Sequence, residues 1–325
     1  MEQVDVIIVG AGLSGIGAAV HLKKGCPGKT FTILEGRNAA AGTWDLFRYP
    51  GIRSDSDMHT LGYSFKPWTE AKAIADGPAI RKYVNETADE YGIREHIRFG
   101  HHVDSVTWNS KQAQWIISST LTDGRCIELS ANFLFMCGGY YSYEQGYLPE
   151  FDGSENFKGQ VIHPQFWPED LDYAGKKVLV IGSGATAMTL VPAMAEKGAS
   201  VTMVQRSPTY VVSRPAEDSL ANTLRRWLPA KWAYAITRFK NVTLGGIFYR
   251  RMRTHPKQAK ENLLKMVRAE IGEEMVEKHF TPSYNPWDQR MCLIPDGDLY
   301  KSINNGTTRI VTAQIDQWTE KGLKL

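Results

Sequence analysis

Two glycine-rich turns, each behind a short apolar run, are the first residues of this sequence whose spacing implies chemistry. Gly10, Gly12 and Gly15 follow the run Val4 to Val9, and Gly182, Gly184 and Ala187 follow the run Val178 to Ile181. In such a turn the first glycine permits the chain to reverse, and the second lets backbone approach a pyrophosphate. The third small residue lets a helix pack closely on the strand. The helix beginning there offers unpaired N–H groups and positive dipole to phosphate. Each turn is followed by a second strand ending in a residue able to read a ribose. After the first turn that residue is Glu35, whose carboxylate accepts hydrogen bonds from ribose hydroxyls and disfavours a 2′-phosphate. After the second it is Arg206, next to Ser207, and a guanidinium there forms a bidentate pair with a 2′-phosphate. Two dinucleotide sites of opposite ribose chemistry predict FAD at the first and NADPH at the second. The plainer alternatives are a glycine-rich turn in a non-binding domain and a solvated arginine at 206.

The elements that must hold these turns are legible from the same residues. Val4 to Val9 is almost continuously β-branched, as in a parallel strand buried on both faces. A helix is predicted over Ile16 to Lys24 and a strand over Thr30 to Leu34. Near the second turn, a helix over Thr186 to Lys197 leads into a strand over Ser200 to Gln205. The fold class is α/β, with two Rossmann-like dinucleotide-binding domains and a helical insertion. The first domain is expected over residues 1–145, the second over 146–212 and 286–325, and the insert over 213–285. Within the first, Val103 to Trp108 and Gln114 to Leu121 read as a hairpin, and Asn132 to Cys137 as a strand ending in Gly138-Gly139.

Composition narrows the function classes. A net charge of +3 is too small to argue for a nucleic-acid partner. The four cysteines, Cys26, Cys126, Cys137 and Cys292, form no metal-type cluster. They also form no redox pair, which a disulfide reductase of the same two-nucleotide plan requires. No metal site is expected. The lone thiols and the absence of a basic leader before Val6 to Val9 point to the cytoplasm. Between Ser219 and Lys260 there is no Asp or Glu, yet Arg225, Arg226, Lys231, Arg238, Lys240, Arg250, Arg251, Arg253, Lys257 and Lys260 are interleaved with aromatic residues. A stretch of that kind lies peripherally on anionic membrane surfaces; a helix pair with a solvated basic face is the alternative, and the favoured one.

Two longer motifs sit between the nucleotide sites. Phe157-Lys-Gly159-Gln-Val-Ile-His163-Pro-Gln-Phe-Trp167-Pro168 resembles the FxGxxxHxxxWP signature of Baeyer–Villiger monooxygenases, and Ala41-Gly42-Thr43-Trp44 through Tyr49-Pro50-Gly51 to Asp55 resembles that family's second motif. The resemblance covers essentially the whole chain. It implies that Gly10, Gly12, Gly15 and Glu35 hold the ADP half of FAD, with Gly42, Thr43 and Trp44 along the flavin. Gly182, Gly184 and Arg206 would hold NADPH. Arg290 would be the catalytic arginine, Asp55 its carboxylate partner, and His163 a residue that couples domains with Phe157, Gly159 and Trp167. The implied activity uses NADPH and O₂ to form a C4a-peroxyflavin. One oxygen then enters a small lipophilic ketone, giving an ester, or oxidises a sulfur or thioamide centre. Two departures stand out. Gln289 occupies a position where many members carry Lys, so NADPH preference rests on Arg206. The chain also stops at Leu323-Lys-Leu325, inside an expected strand without a neighbour, where members of the family continue. A shortened chain that binds nucleotide without oxygenating anything is therefore the alternative expectation.

Overall fold

The computed structural model describes residues 1–325 and divides them into two compact units: Met1–Phe47 with Gly77–Gly146, and Arg48–Asp76 with Tyr147–Leu325. The first unit opens with β1 (Glu2–Val9), α1 (Leu13–Gly25), β2 (Phe31–Glu35) and the single turn α2 (Thr43–Leu46). Residues 48–76 belong to the second unit and carry α3 (Met58–Leu61). The first unit resumes with α4 (Gly77–Glu90), β3 (Ile97–Phe99), β4 (His101–Asn109), β5 (Gln114–Leu121) and β6 (Cys126–Met136).

These strands form one six-stranded sheet in the order β3-β2-β1-β6-β5-β4. The β-branched run of β1 lies at its centre, parallel to β2 (Ile7 beside Thr32) and to β6 (Ile7 beside Leu134). Ile7 and Ile8 are buried accordingly, with Leu34, Ile117 and Leu129 sharing the core around Ile7. β4 and β5 pair antiparallel as the expected hairpin. β6 starts at Cys126 rather than Asn132, because its first half pairs antiparallel with β5 before its second half joins β1. A polar stretch such as Glu128-Leu-Ser130 conceals that extension from a hydrophobicity pattern.

The second unit continues with β7 (Lys177–Ile181), α5 (Ala185–Glu196), β8 (Ser200–Gln205) and β9 (Tyr210–Arg214), then α6 (Ser219–Trp227), α7 (Ala230–Thr254), α8 (Pro256–Ile271) and α9 (Glu273–His279). It closes with β10 (Met291–Pro295), α10 (Asp298–Asn304), β11 (Thr308–Thr312), β12 (Gln317–Thr319) and β13 (Gly322–Lys324). The sheet order β11-β8-β7 is parallel throughout, while β9 and β10 pair in parallel across the helical insert (Cys292 beside Val211). The terminal strand β13 does have a neighbour: it pairs antiparallel with β12 through Trp318 and Leu323.

Candidate functional site

At the end of β1, the Gly10 amide donates to the Leu34 carbonyl (2.8 Å) and the Cys137 amide to the Val9 carbonyl (2.8 Å), so the turn is held by both flanking strands. Gly10 has φ +99°, and a Cβ there would stand 2.5 Å from the Cys137 carbonyl oxygen. A Cβ on Gly15 would overlap the Gly10 carbonyl oxygen, which is the close helix–strand approach the third glycine allows. Gly12 differs, since a Cβ on it would meet only the Gly42 Cα, at an ordinary 3.7 Å. The protein's own packing does not demand glycine at 12, whereas an approaching phosphate does. Gly12 is also the N-cap of α1 and provides no side-chain cap, and a helix N-terminus of this kind suits an anion.

Glu35 closes this shelf from β2. It is only 5% exposed; its Oε2 accepts from the Ala11 amide (2.7 Å) and its Oε1 from the Arg37 amide (3.0 Å). A carboxylate accepts about four hydrogen bonds, so each oxygen keeps a lone pair for a ribose hydroxyl. The second motif returns to the same shelf: Ala41 (φ +80°) donates its amide to the Ala11 carbonyl (3.0 Å), and a Cβ on Gly42 would lie 3.1 Å from the Gly12 Cα. Two stretches of bare backbone thus face each other, and α2 with Thr43 and Trp44 follows directly on Gly42. The donor set and the open glycine shelf fit the ADP portion of a dinucleotide whose ribose lacks a 2′-phosphate. Sequence reading missed Arg37. Its guanidinium pairs with Asp45 (2.8 Å), which also receives Arg81 (3.5 Å), and lies over the Tyr143 ring at 5.5 Å. Its only signal was a cation two residues after Glu35.

In the second unit the Gly182 amide donates to the Val204 carbonyl (2.8 Å), with φ +125° at Gly182. Gly184 is the N-cap of α5, again without a side-chain cap, and Ala187 is buried under the helix. The Ser183 hydroxyl donates to the Ser207 carbonyl (3.4 Å), tying the turn to the end of β8. Arg206 beside it is exposed, and its guanidinium forms no ion pair or hydrogen bond. An unpaired guanidinium at this point fits a 2′-phosphate.

Arg290 belongs to the same turn: a Cβ on Gly184 would lie 3.7 Å from its Nη1. Its backbone is fixed by the Thr209 hydroxyl, which donates to the Arg290 carbonyl (3.1 Å). Asp55, from the loop 48–76, is exposed, and no ion pair joins it to Arg290. Both charges nevertheless act on the buried Cys292 thiol. Burial pushes that thiol up to about 11, with Arg290 pulling it down and Asp55 pushing it up. Arg53 was also missed. It anchors this loop by pairing with Asp298 (2.5 Å) and donating to the Met188 carbonyl (3.4 Å) on α5.

The remaining motif residues serve local structure in the second unit. The His163 Nδ1 accepts from the Gln165 amide (3.2 Å) and caps the turn Pro164–Phe166. A Cβ on Gly159 would stand 2.5 Å from the Phe157 ring, which packs edge-on against Trp318 (5.4 Å). Trp167 packs edge-on against Tyr173 at 6.0 Å.

Known proteins resemble the chain along its whole length. The flavin-binding monooxygenase-like family matches residues 68–229, and the NAD(P)-binding Rossmann-like domain matches residues 8–76. The FAD-containing monooxygenases EthA of Mycobacterium tuberculosis and of Mycolicibacterium smegmatis are each 52% identical over all of this chain, which spans 66% of their length. Among solved structures, an oxidized steroid monooxygenase bound to NADP superimposes with a TM-score of 0.81 at 25% identity, over 99% of this chain and 68% of that one.

Proposed function

The chain belongs to the flavin-binding monooxygenase-like family, and from that premise we propose that it binds FAD at the first glycine turn and NADPH at the second. In this reading it uses NADPH and O₂ to insert oxygen into a lipophilic ketone or to oxidise a sulfur centre. The observation that carries the reading is the contrast between the two turns. One presents the buried carboxylate of Glu35, the other the free guanidinium of Arg206, with Arg290 near Gly184 of the same turn.

FAD, when bound, supplies electron transfer from NADPH to O₂ and the subsequent oxygen transfer. The chain's residues do the rest. Glu35 accepts the ribose hydroxyls, while the uncapped amides at the start of α1 receive the phosphates. Gly42 borders the same shelf, and Thr43 and Trp44, which follow it on α2, would lie along the flavin. Arg206 and Ser207 receive the 2′-phosphate of NADPH, and the start of α5 receives its pyrophosphate. Arg290 carries a permanent positive charge with no partner of its own, suited to stabilising negative charge that develops on oxygen. Asp55, which forms no ion pair with Arg290 here, would be its carboxylate counterpart through the motif it belongs to. A coupling role for Phe157, Gly159, His163 and Trp167 rests on the motif alone, since their contacts lie within the second unit.

The test is to reconstitute the purified full chain with FAD and record its flavin absorbance, NADPH consumption and products with a cyclic ketone and a thioether. Bound flavin, oxygen-dependent NADPH oxidation and an ester or sulfoxide are expected. Failure to hold flavin after reconstitution would overturn the reading. Flavin binding without product would overturn the oxygenation and leave a nucleotide-binding chain.

A further inference from the structure

The helix α7 is apolar on two opposite faces, but only one of them is covered. Ala233, Tyr234, Thr237 and Met252 are buried where α7 packs on α3, α6 and α8. The opposite face carries Trp232, Ile236, Phe239 and Ile247 at helical spacing; Trp232 is 65% exposed, Phe239 74% and Ile247 57%. Thr243 and Gly246 lie between them, so no charge interrupts a strip of about 22 Å. Trp227, at the end of α6, the helix before α7, is 82% exposed. A helix on a protein's surface ordinarily turns a polar face to water, and a contiguous exposed apolar strip marks a binding surface.

The charges around the strip have one sign. Arg226 and Lys231 flank its N-terminal end, and Arg250, Arg251 and Lys257 its C-terminal end; all five are exposed and form no ion pair. The other cations of the stretch are occupied: Lys240 pairs with Asp218 (2.6 Å), Arg253 with Asp288 (2.5 Å), and Arg238 donates to the His59 and Thr60 carbonyls. No helix is long and apolar enough to cross a membrane.

We propose that the exposed face of α7, with Trp227, Trp232, Phe239 and Ile247, inserts into the headgroup region of an anionic lipid bilayer while these five free cations contact the lipid phosphates. Tryptophan prefers that interfacial depth, and basic side chains beside an amphipathic helix add electrostatic attraction to anionic lipid. A second copy of the chain fits less well, because two-fold pairing of the strip brings cations against cations at both ends. The inference does not depend on the proposed oxygenation.

The experiment is sedimentation of the purified full chain with vesicles of phosphatidylcholine and phosphatidylglycerol in a ratio of about 7:3, compared with phosphatidylcholine alone, at rising salt. Binding to the anionic vesicles should be at least about tenfold tighter and should weaken with salt. The double variant Trp232→Glu/Phe239→Glu should lose at least about tenfold. These side chains face solvent, so its far-ultraviolet circular dichroism should match the parent. If it does not fold, Arg250→Glu/Arg251→Glu, which leaves the apolar strip intact, should still weaken binding. Tryptophan emission should shift to the blue on anionic vesicles, and by less in Trp227→Phe/Trp232→Phe. Equal sedimentation with and without anionic lipid overturns the proposal. So does lipid-independent self-association, or capture of an acidic protein with no vesicle binding, when the first variant abolishes it.

Discussion

At the residue scale, the side chains nearest the proposed chemistry are those with fewest partners of their own. Arg290 is fixed through its backbone by Thr209, and its guanidinium is left free at the Gly184 turn. Replacing it with Ala removes charge stabilisation in the proposed reaction, and oxygenated product should fall by about 10²–10³-fold. NADPH oxidation should persist, so the measurement is the ratio of product formed to NADPH consumed. A variant that keeps its product yield would remove Arg290 from the chemistry. Arg206→Ala deletes a bidentate phosphate pair worth about 1.5–3 kcal/mol, so the KM for NADPH should rise roughly 10- to 100-fold, with that for NADH little changed. A different residue contributes to the pH dependence of folding in mild acid. His59 is buried, its Nδ1 has no hydrogen-bond partner, and burial holds its pKa below the ordinary 6.5. Above 6.5 both folded and unfolded states are neutral at this group. As pH falls through 6.5 the unfolded state gains the proton first, so the folded state loses stability until the lowered folded pKa is passed. The thermal midpoint should therefore drop on mild acidification, and less steeply in His59→Leu. His279, also lowered by burial, contributes in the same direction.

At the element scale, the glycine turns show what spacing reveals and what it hides. The roles of Gly10 and Gly15 were legible because they follow from the geometry of one strand, one turn and one helix. The approach of Gly42 to Gly12 was not, since it depends on where a loop returns after a second strand. The pairing of Arg53 with Asp298 joins residues 245 positions apart, which no local pattern records. The same holds for β9 and β10, which meet only after the helical insert. Gly51 carries a related lesson. It reads as a turn residue of the second motif, yet with φ +76° its added Cβ would stand 2.6 Å from both the Ala193 Cβ and the Thr189 carbonyl oxygen on α5. Gly51→Ala should then cost about 1–3 kcal/mol, from overpacking together with an unfavourable left-handed backbone. Urea unfolding should show a lower midpoint, and α5, which Gly184 caps, should exchange its amide hydrogens faster. An unchanged midpoint would mean that the loop simply lifts away from α5.

At the scale of the whole molecule, each compact unit contains one complete glycine turn, one residue proposed to read a ribose and one helix without a side-chain N-cap. That division makes the two cofactor assignments separable by a measurement that needs no turnover. A ligand that binds only the folded form stabilises it by about 2.7 kcal/mol at a hundredfold excess over its Kd. If Glu35 and the α1 amides hold FAD, saturating FAD should protect Met1–Phe47 and Gly77–Gly146 from proteolysis and amide exchange. If Arg206 and the α5 amides hold NADPH, that ligand should protect β7, α5 and β8 instead. Glu35→Ala should abolish the first protection and leave the second, and Arg206→Ala should do the reverse for NADPH while leaving a weaker response to NADH. Peptide-resolved hydrogen exchange distinguishes the two, because the units share no stretch of sequence. Should both ligands protect the same unit, or should Glu35→Ala leave FAD protection intact, the reading of the ribose-facing residues as the selectors between the two sites would fail. The lipid-facing proposal for α7 would be unaffected, since α7 carries none of those residues.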